Sequence, residues 1–253
     1  MIEVNEHFSV VDQGDGWILV DKASPLIVHP ANNRGIETSL LGGVSAYLAY
    51  EIACGAKLSI INRLDRETSG LVLLATRKSV AREMSRAMER RLVKKNYSAI
   101  VMGWPVWDET IVDAPIIRMG EVAESEIYVR QMVHELGKES KTKFMVQRRY
   151  TIDGKKVALL KVEPLTGRMH QIRVHAAYLG HALLGDKIYS EPAVYIDFIG
   201  SGFNEAMLKQ LLMRRHALHA CGLSLTFSNN EFCWEIDLAS DLVDFLAGAD
   251  SED

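Results

Sequence analysis

The chain has 253 residues, 48% hydrophobic and 25% charged, with 29 basic side chains against 33 acidic ones and a formal net charge of −4. These proportions belong to a globular protein with a core, and they exclude a chain disordered beyond its ends and a protein that binds nucleic acid through overall positive charge. The opening Met1-Ile2-Glu3-Val4-Asn5-Glu6 lacks the basic and apolar parts of an export signal, and no apolar run approaches the roughly 20 residues that span a bilayer, so a cytoplasmic location is expected.

Residues 8–12 and 17–21 read as short strands around Gln13-Gly14-Asp15-Gly16, whose Asp-Gly pair favours a tight hairpin turn. A loop holding Pro25 and Pro30 leads to residues 40–53, where helical spacing and small residues predict a helix. Residues 60–65 are strand-like and enter the polar turn Arg66-Glu67-Thr68-Ser69-Gly70. Residues 71–75 are apolar throughout and read as a fully buried strand. Ser79 can cap a helix to about residue 92, with Ala81, Met84, Met88 and Leu92 on a core stripe and Arg82, Arg86 and Arg90 on another face.

Residues 97–101 form a strand ended by Gly103-Trp104-Pro105, and residues 140–161 an antiparallel meander around Asp153-Gly154. Ile172, Ala176 and Leu179 give helical spacing to residues 169–179, closed by Gly180. A helix over 205–212, strands over 217–227 and 232–238 around Asn229-Asn230, and a frayed acidic tail over 247–253 complete the order. Strands in clusters with interposed helices predict an α+β fold. Nothing in the sequence cuts the chain, so a single domain over 1–253 is expected, with its core at about 8–240.

At Asn62-Arg63-Leu64-Asp65-Arg66-Glu67-Thr68-Ser69-Gly70 a carboxylate stands between two arginines at a strand-to-turn junction. Neighbouring guanidinium groups favour the ionised carboxylate, the form that nucleophilic or electrostatic catalysis requires. Spacing alone favours a surface ion pair at a turn.

The stretch RLDRETSGLVLLA resembles the signature HRLDxxTSGLLLxA of RluA-type pseudouridine synthases, and Leu165-Thr166-Gly167-Arg168-Met169-His170-Gln171-Ile172-Arg173-Val174-His175 resembles the same family's LxTGRTHQIRVH. Further likenesses follow in the family's order: Leu19-Val20-Asp21-Lys22, Leu26-Ile27-Val28-His29-Pro30, Lys95-Asn96-Tyr97-Ser98-Ala99, Gly180-His181, Gly185-Asp186 and Leu218-His219-Ala220. Asn62 replaces a usual His, Met169 a usual Thr, and Ser228-Asn229-Asn230 stands where His-Pro is common.

The resemblance implies an enzyme that isomerises uridine in structured RNA, ribosomal RNA before transfer RNA, without metal or redox cofactor. It implies a mixed, mostly antiparallel sheet with flanking helices, whose cleft holds Asp65 as nucleophile, Tyr97 stacked on the target uracil and Arg173 paired with the carboxylate. Without it, a core tyrosine on a strand is an alternative for Tyr97, and Arg173 would be read as a helix-surface arginine. Arg63 takes the family position that enters the RNA where the target base is flipped out. Arg66, Thr68, Lys95, Arg168 and His170, in or beside the motifs, are expected to contact RNA, as is the stripe Arg82, Arg86 and Arg90. The opening motif lies so near residue 1 that no accessory RNA-binding domain is expected before it, and a monomer without an obligate protein partner is expected.

Other chemistries were weighed. His170, His175 and His181 suggest a metal site, but residues five apart point in different directions on a helix or strand. Cys54, Cys221 and Cys233 form no Cys-x-x-Cys pair and read as buried free thiols. A non-catalytic RNA-binding module would explain the basic stripe but not Asp65, Tyr97 and Arg173 together, and a carbohydrate hydrolase would need a second carboxylate in a comparable motif.

Overall fold

The computed structural model describes residues 2–5, 7–30 and 35–252. The chain divides into two compact units, Met1–Lys95 with Ala220–Asp237 and Asn96–His219 with Leu238–Asp253.

The first unit opens with strands β1 (Ile2–Asn5), β2 (Phe8–Gly14) and β3 (Trp17–Lys22), followed by helices α1 (Leu40–Tyr47) and α2 (Ala49–Ala53). Strands β4 (Ser59–Ile60) and β5 (Ser69–Ala75) and helix α3 (Lys78–Glu89) come next. The antiparallel order is β1-β2-β3-β5, with β4 on β5. Alternation along β3 and β5 supplies two cores. Ile18, Val20, Val72 and Leu74 face Leu40 and Val44 of α1, whereas Trp17, Leu19, Leu71 and Leu73 face Val80 and Met84 of α3. All of β5 is buried, which is why it is apolar at every position.

Several boundaries differ from the sequence reading. The helix expected over 40–53 breaks at Leu48, whose ψ of 31° interrupts the ladder. Of the stretch 60–65 only Ile60 lies in a strand, the two-residue β4 that it forms with Ser59. Helix α3 starts at Lys78, so Ser79 lies inside its first turn and caps nothing. Its core stripe is Val80, Met84 and Ala87, at i, i+4 and i+7, while Leu92 lies beyond the helix and is exposed. Arg82, Arg86 and Arg90 are exposed, as the periodicity requires.

The second unit contains β6 (Lys94–Met102), β7 (Glu109–Asp113), β8 (Ile116–Arg118), β9 (Gln131–Val133), β10 (Lys141–Ile152) and β11 (Lys155–Pro164), and helices α4 (Gln171–Tyr178), α5 (Pro192–Ser201) and α6 (Glu205–Leu211). The Asp153-Gly154 turn has φ of 48° and 72°, the positive pair of a two-residue hairpin turn matched to strand twist. Strands β7 and β8 and helix α5 were not foreseen, because each is short or lacks a clear period. Strands β12 (Leu218–Phe227) and β13 (Asn230–Glu235) return to the first unit from Ala220, joined by Ser228-Asn229 at φ of 50° and 60°. Helix α7 (Ser240–Ala247) and β14 (Asp250–Glu252) close the chain.

A bulge between Val146 and Arg148 lets β10 pair β7 before it and β14 after it. The tail expected to fray is therefore helical to Ala247 and paired over 250–252, and Asp253 lies outside the described residues. The expectation of buried thiols also fails: Cys54 and Cys233 are free but exposed, at the end of α2 and on the outer side of β13. Each unit is built of antiparallel ladders with flanking helices, as the α+β reading requires.

Gly70 has φ of 109°, and a Cβ there would lie 2.4 Å from the Ala220 oxygen. Gly70→Ala is expected to destabilise the protein by roughly 2–4 kcal/mol, from left-handed strain plus overpacking, read as a lower urea midpoint. An unchanged midpoint would show that β5 and β12 separate freely here.

Candidate functional site

Asp65 lies on the turn between β4 and β5, in the first unit. The turn is fixed mainly by side chains standing in for a strand. Asn62 is buried and sends its amide N–H to the Leu71 carbonyl at 3.0 Å while its carbonyl accepts from the Leu73 N–H at 2.8 Å. The Ile61 N–H extends the pattern to the Leu73 carbonyl. An amide presents donor and acceptor side by side, as a strand edge does, so Asn at this position is consistent with a rigid turn.

The far side of the turn is gripped by β3. Lys22, fully buried, donates from Nζ to the Arg66 carbonyl at 3.2 Å and the Ala23 carbonyl at 2.9 Å, and the Leu26 N–H also reaches the Arg66 carbonyl. The next residue back, Asp21, takes the Gly70 N–H. The Thr68 N–H closes the turn on the Asp65 carbonyl at 3.1 Å, and Thr68 itself is buried. Asp65 is half-buried, and Arg63 and Arg66 on either side of it are exposed. The first unit also carries the exposed arginines of α3 and Lys95, whose pKa is pushed down by burial.

The second unit holds Tyr97, Arg168, His170 and Arg173. Tyr97, on β6 opposite Val162, is 8% exposed. The run before α4 is knitted to β10 by Gln171, whose amide donates to the Lys141 carbonyl at 3.0 Å and Thr142 Oγ1 at 2.9 Å. Its Oε1 accepts from the Thr166 hydroxyl at 2.6 Å and the Arg168 N–H at 3.0 Å, so all four capacities of the amide are used. Thr142 in turn bonds His175 Nδ1 at 2.8 Å, and His175 Nε2 lies 2.9 Å from the Ala114 carbonyl. A carbonyl only accepts, so Nε2 carries the proton and Nδ1 accepts from Thr142. Burial lowers the His175 pKa, in keeping with this neutral form. His175 is thus a structural residue, and His181 is held separately by the Met102 carbonyl. Arg168 Nε donates to the Glu139 carbonyl, and His170 adopts a left-handed φ of 55° at the start of α4.

Arg173 is only 5% exposed, which corrects the reading of its residue type as helix surface. What makes burial tolerable is Asp186, fully buried, which accepts from Arg173 Nε at 2.7 Å and Nη2 at 2.9 Å. Asp186 Oδ1 also accepts the N–H groups of Ile188 and Tyr189 at 3.0 and 3.1 Å. Burial alone would raise the Asp186 pKa, but Arg173 and these donors bring it below its ordinary value. The Tyr189 ring lies under the guanidinium, 5.0 Å from its carbon to the ring centroid. Gly185 lets this strand of chain approach Arg215, since a Cβ there would lie 1.8 Å from the Arg215 oxygen. Buried His216 has its pKa pushed well down by burial and by the cations Arg173, Arg215, His170 and Lys187. Asp186, Tyr189 and His216 were not assigned from sequence, though Gly185-Asp186 was visible as a motif. A pocket of about 620 Å³ on this unit, lined by Arg118, Glu121, Glu124 and Tyr128 among others, includes none of the residues singled out from sequence.

The Asp21 carboxyl is pushed up to about 6 by burial, against the opposing pull of Lys22 and the Gly70 N–H. Because that value lies above the unfolded 3.8, this group favours the fold fully below pH 3.8 and loses that contribution as pH rises through 6. Carboxyl ¹³C titration should place the Asp21 midpoint near 6. A midpoint near 4 would contradict its burial.

A family model described as RNA pseudouridylate synthase matches residues 16–178. The ribosomal large subunit pseudouridine synthase C of Haemophilus ducreyi is 30% identical over 86% of this chain and 60% of its own length. Synthase D of Nitrosomonas europaea is 31% identical over 94% of this chain and 64% of its own length. The mitochondrial tRNA pseudouridine(32) synthase of Saccharomyces cerevisiae is 36% identical over 76% of this chain and 39% of its own length. The chain therefore spans between 39% and 64% of the length of these relatives. Among solved structures, Human RNA Pseudouridylate Synthase Domain Containing 1 aligns with a TM-score of 0.75 at 22% identity, covering 100% of this chain and 92% of that one. Human RNA Pseudouridylate Synthase Domain Containing 4 gives 0.73 at 24%, covering 94% and 92%. These likenesses show the fold.

Proposed function

Since the chain belongs to the RNA pseudouridylate synthase family, with the match at residues 16–178 taking in Asp65, Tyr97 and Arg173, we propose that it isomerises uridine to pseudouridine in structured RNA. The observation that carries this reading is the Asp65 turn: a carboxylate flanked by two exposed arginines on a backbone pinned by Asn62, Lys22 and Leu26. Such preorganisation serves a nucleophile, because the carboxylate meets the nucleotide without reordering the chain.

In this reading Asp65 bonds to the sugar or the base of the target nucleotide and the glycosidic bond to N1 breaks; the retained uracil turns and bonds through carbon 5 as the bond to Asp65 is released, a base removes the carbon-5 proton, and N1 takes up a proton. Tyr97 is the ring for the uracil, and Arg173 is the cation that keeps the carboxylate ionised. Arg63 and Arg66 contact the RNA directly, with Thr68, Lys95, Arg168 and His170 supporting or extending that contact. The stripe Arg82, Arg86 and Arg90 follows phosphates, which gives a local basic surface to a chain of net charge −4. Ribosomal RNA is the favoured substrate, in line with the relatives named for the ribosomal large subunit, and transfer RNA is next, in line with the yeast relative. Mapping pseudouridines in RNA from cells with and without the protein identifies the position.

Asp65→Asn and Asp65→Ala should lower pseudouridine formation by at least about 10³-fold while the Kd for RNA moves by less than about 3-fold, since the nucleophile goes and the basic surface stays. Turnover at the wild-type rate would defeat the assignment, and wild-type protein that binds RNA without product would make it a binding module.

Changing Arg82, Arg86 and Arg90 together to Ala should weaken RNA binding and reduce the slope of log K against log salt by about 2, given roughly 0.7–0.9 per phosphate contact. An unaltered slope would place the RNA elsewhere.

A further inference from the structure

The Arg173–Asp186 pair fixes one edge of the guanidinium but not the tilt of its plane. Tyr189 supplies the missing constraint through three separate links. Its backbone N–H donates to Asp186 Oδ1 at 3.1 Å, so the carboxylate that holds Arg173 also holds Tyr189. Its ring lies 5.0 Å from the Arg173 guanidinium carbon. Its hydroxyl oxygen accepts the Gln131 N–H of β9 at 3.0 Å and lies 2.8 Å from His170 Nδ1, with the two rings edge to face. Ring position is therefore set at both ends, by the Asp186 carboxylate on the backbone side and by β9 and His170 on the hydroxyl side.

We propose that Tyr189 is a positioning residue: its ring is the platform that fixes the plane of the Arg173 guanidinium, and its hydroxyl ties that platform to His170 and β9. The inference rests on the reading that Arg173 serves the catalytic carboxylate. A guanidinium donates only in its own plane, so fixing that plane sets the direction in which its remaining N–H groups donate. The hydroxyl link also gives His170, an expected RNA contact, a route to Arg173: a shift of the His170 ring on RNA binding moves the platform.

Two variants separate the parts. Tyr189→Leu removes platform and hydroxyl; Tyr189→Phe keeps the ring and removes the link. For Tyr189→Leu, kcat should fall about 5- to 30-fold, the range of a desolvated cation–π contact, with the Kd for an RNA transcript within about twofold of wild type. Tyr189→Phe should lose a smaller factor, about 2- to 5-fold. In an Arg173→Lys background neither change should cost more, because the group being positioned is gone. The acidic limb of the kcat–pH profile should move to higher pH in Tyr189→Leu, since a less ordered cation holds a carboxylate ionised less firmly. Exchange of the Arg173 Nε–H with solvent, followed by ¹⁵N NMR, should accelerate in the same variant.

An unchanged kcat in both variants, or losses that multiply in the Arg173→Lys background, would overturn the proposal. Should Tyr189→Leu not fold, Tyr189→Phe carries the same double-variant test. Absence of pseudouridine formation by the wild-type protein, with Nε–H exchange still faster in Tyr189→Leu than in the wild type, would defeat the proposed reaction and leave the platform standing.

Discussion

Bringing a guanidinium out of water carries a large desolvation cost unless a carboxylate meets it with matched geometry. In the second unit Arg173 is met by Asp186 along its Nε edge, and much of the surrounding chain is arranged to keep that carboxylate in place. Gly185 gives the backbone its close approach to Arg215, the N–H groups of Ile188 and Tyr189 donate to Asp186 Oδ1, and His216 stays neutral among the neighbouring cations. Arg215 has its own carboxylate, Asp241, at 2.6 and 2.8 Å, so its charge is balanced independently. Removing one member of such a buried pair typically costs about 3–5 kcal/mol, more than a surface ion pair contributes. The constraint is thus severe enough to explain why a short stretch of chain after α4 carries so many specific contacts.

The turn bearing Asp65 solves a related problem with less charge. A chain leaving the sheet between β4 and β5 would strand carbonyls and N–H groups of β5, and Asn62 takes two of them. Lys22 and Leu26 converge on a single carbonyl, that of Arg66. The backbone on both sides of the carboxylate is therefore bonded inward, and the flanking side chains of Arg63 and Arg66 are turned out.

Charge is distributed unevenly enough to reconcile a net −4 with the proposed RNA substrate. Helix α3 buries Val80, Met84 and Ala87 and presents Arg82 and Arg86 on its outer surface, with exposed Arg90 at its C-terminal cap. The helix is held by its apolar stripe, so its arginines contribute little to the fold and are available for contact.

Local patterns were legible without coordinates. The hairpin strands on either side of Gln13-Gly14-Asp15-Gly16, the wholly apolar β5, the hairpin at Asp153-Gly154 and the arginine period of α3 all follow from side-chain direction and turn chemistry, which depend on near neighbours. The two long motifs marked Asp65 and Arg173 and the family they resemble. Partners were not legible, because they come from distant chain: Lys22 reaches the Arg66 carbonyl 44 residues on, and His175 is fixed by the Ala114 carbonyl 61 residues back. Hence Arg173 was misplaced at the surface when read by residue type, and Asp186 and Tyr189 carried no role. The sequence by itself determined the family, the strand and helix periods and the residue types of the chemistry. Tertiary structure decided which charges are buried and what holds them, because the cost of desolvating a charge depends on groups that only folding brings within reach.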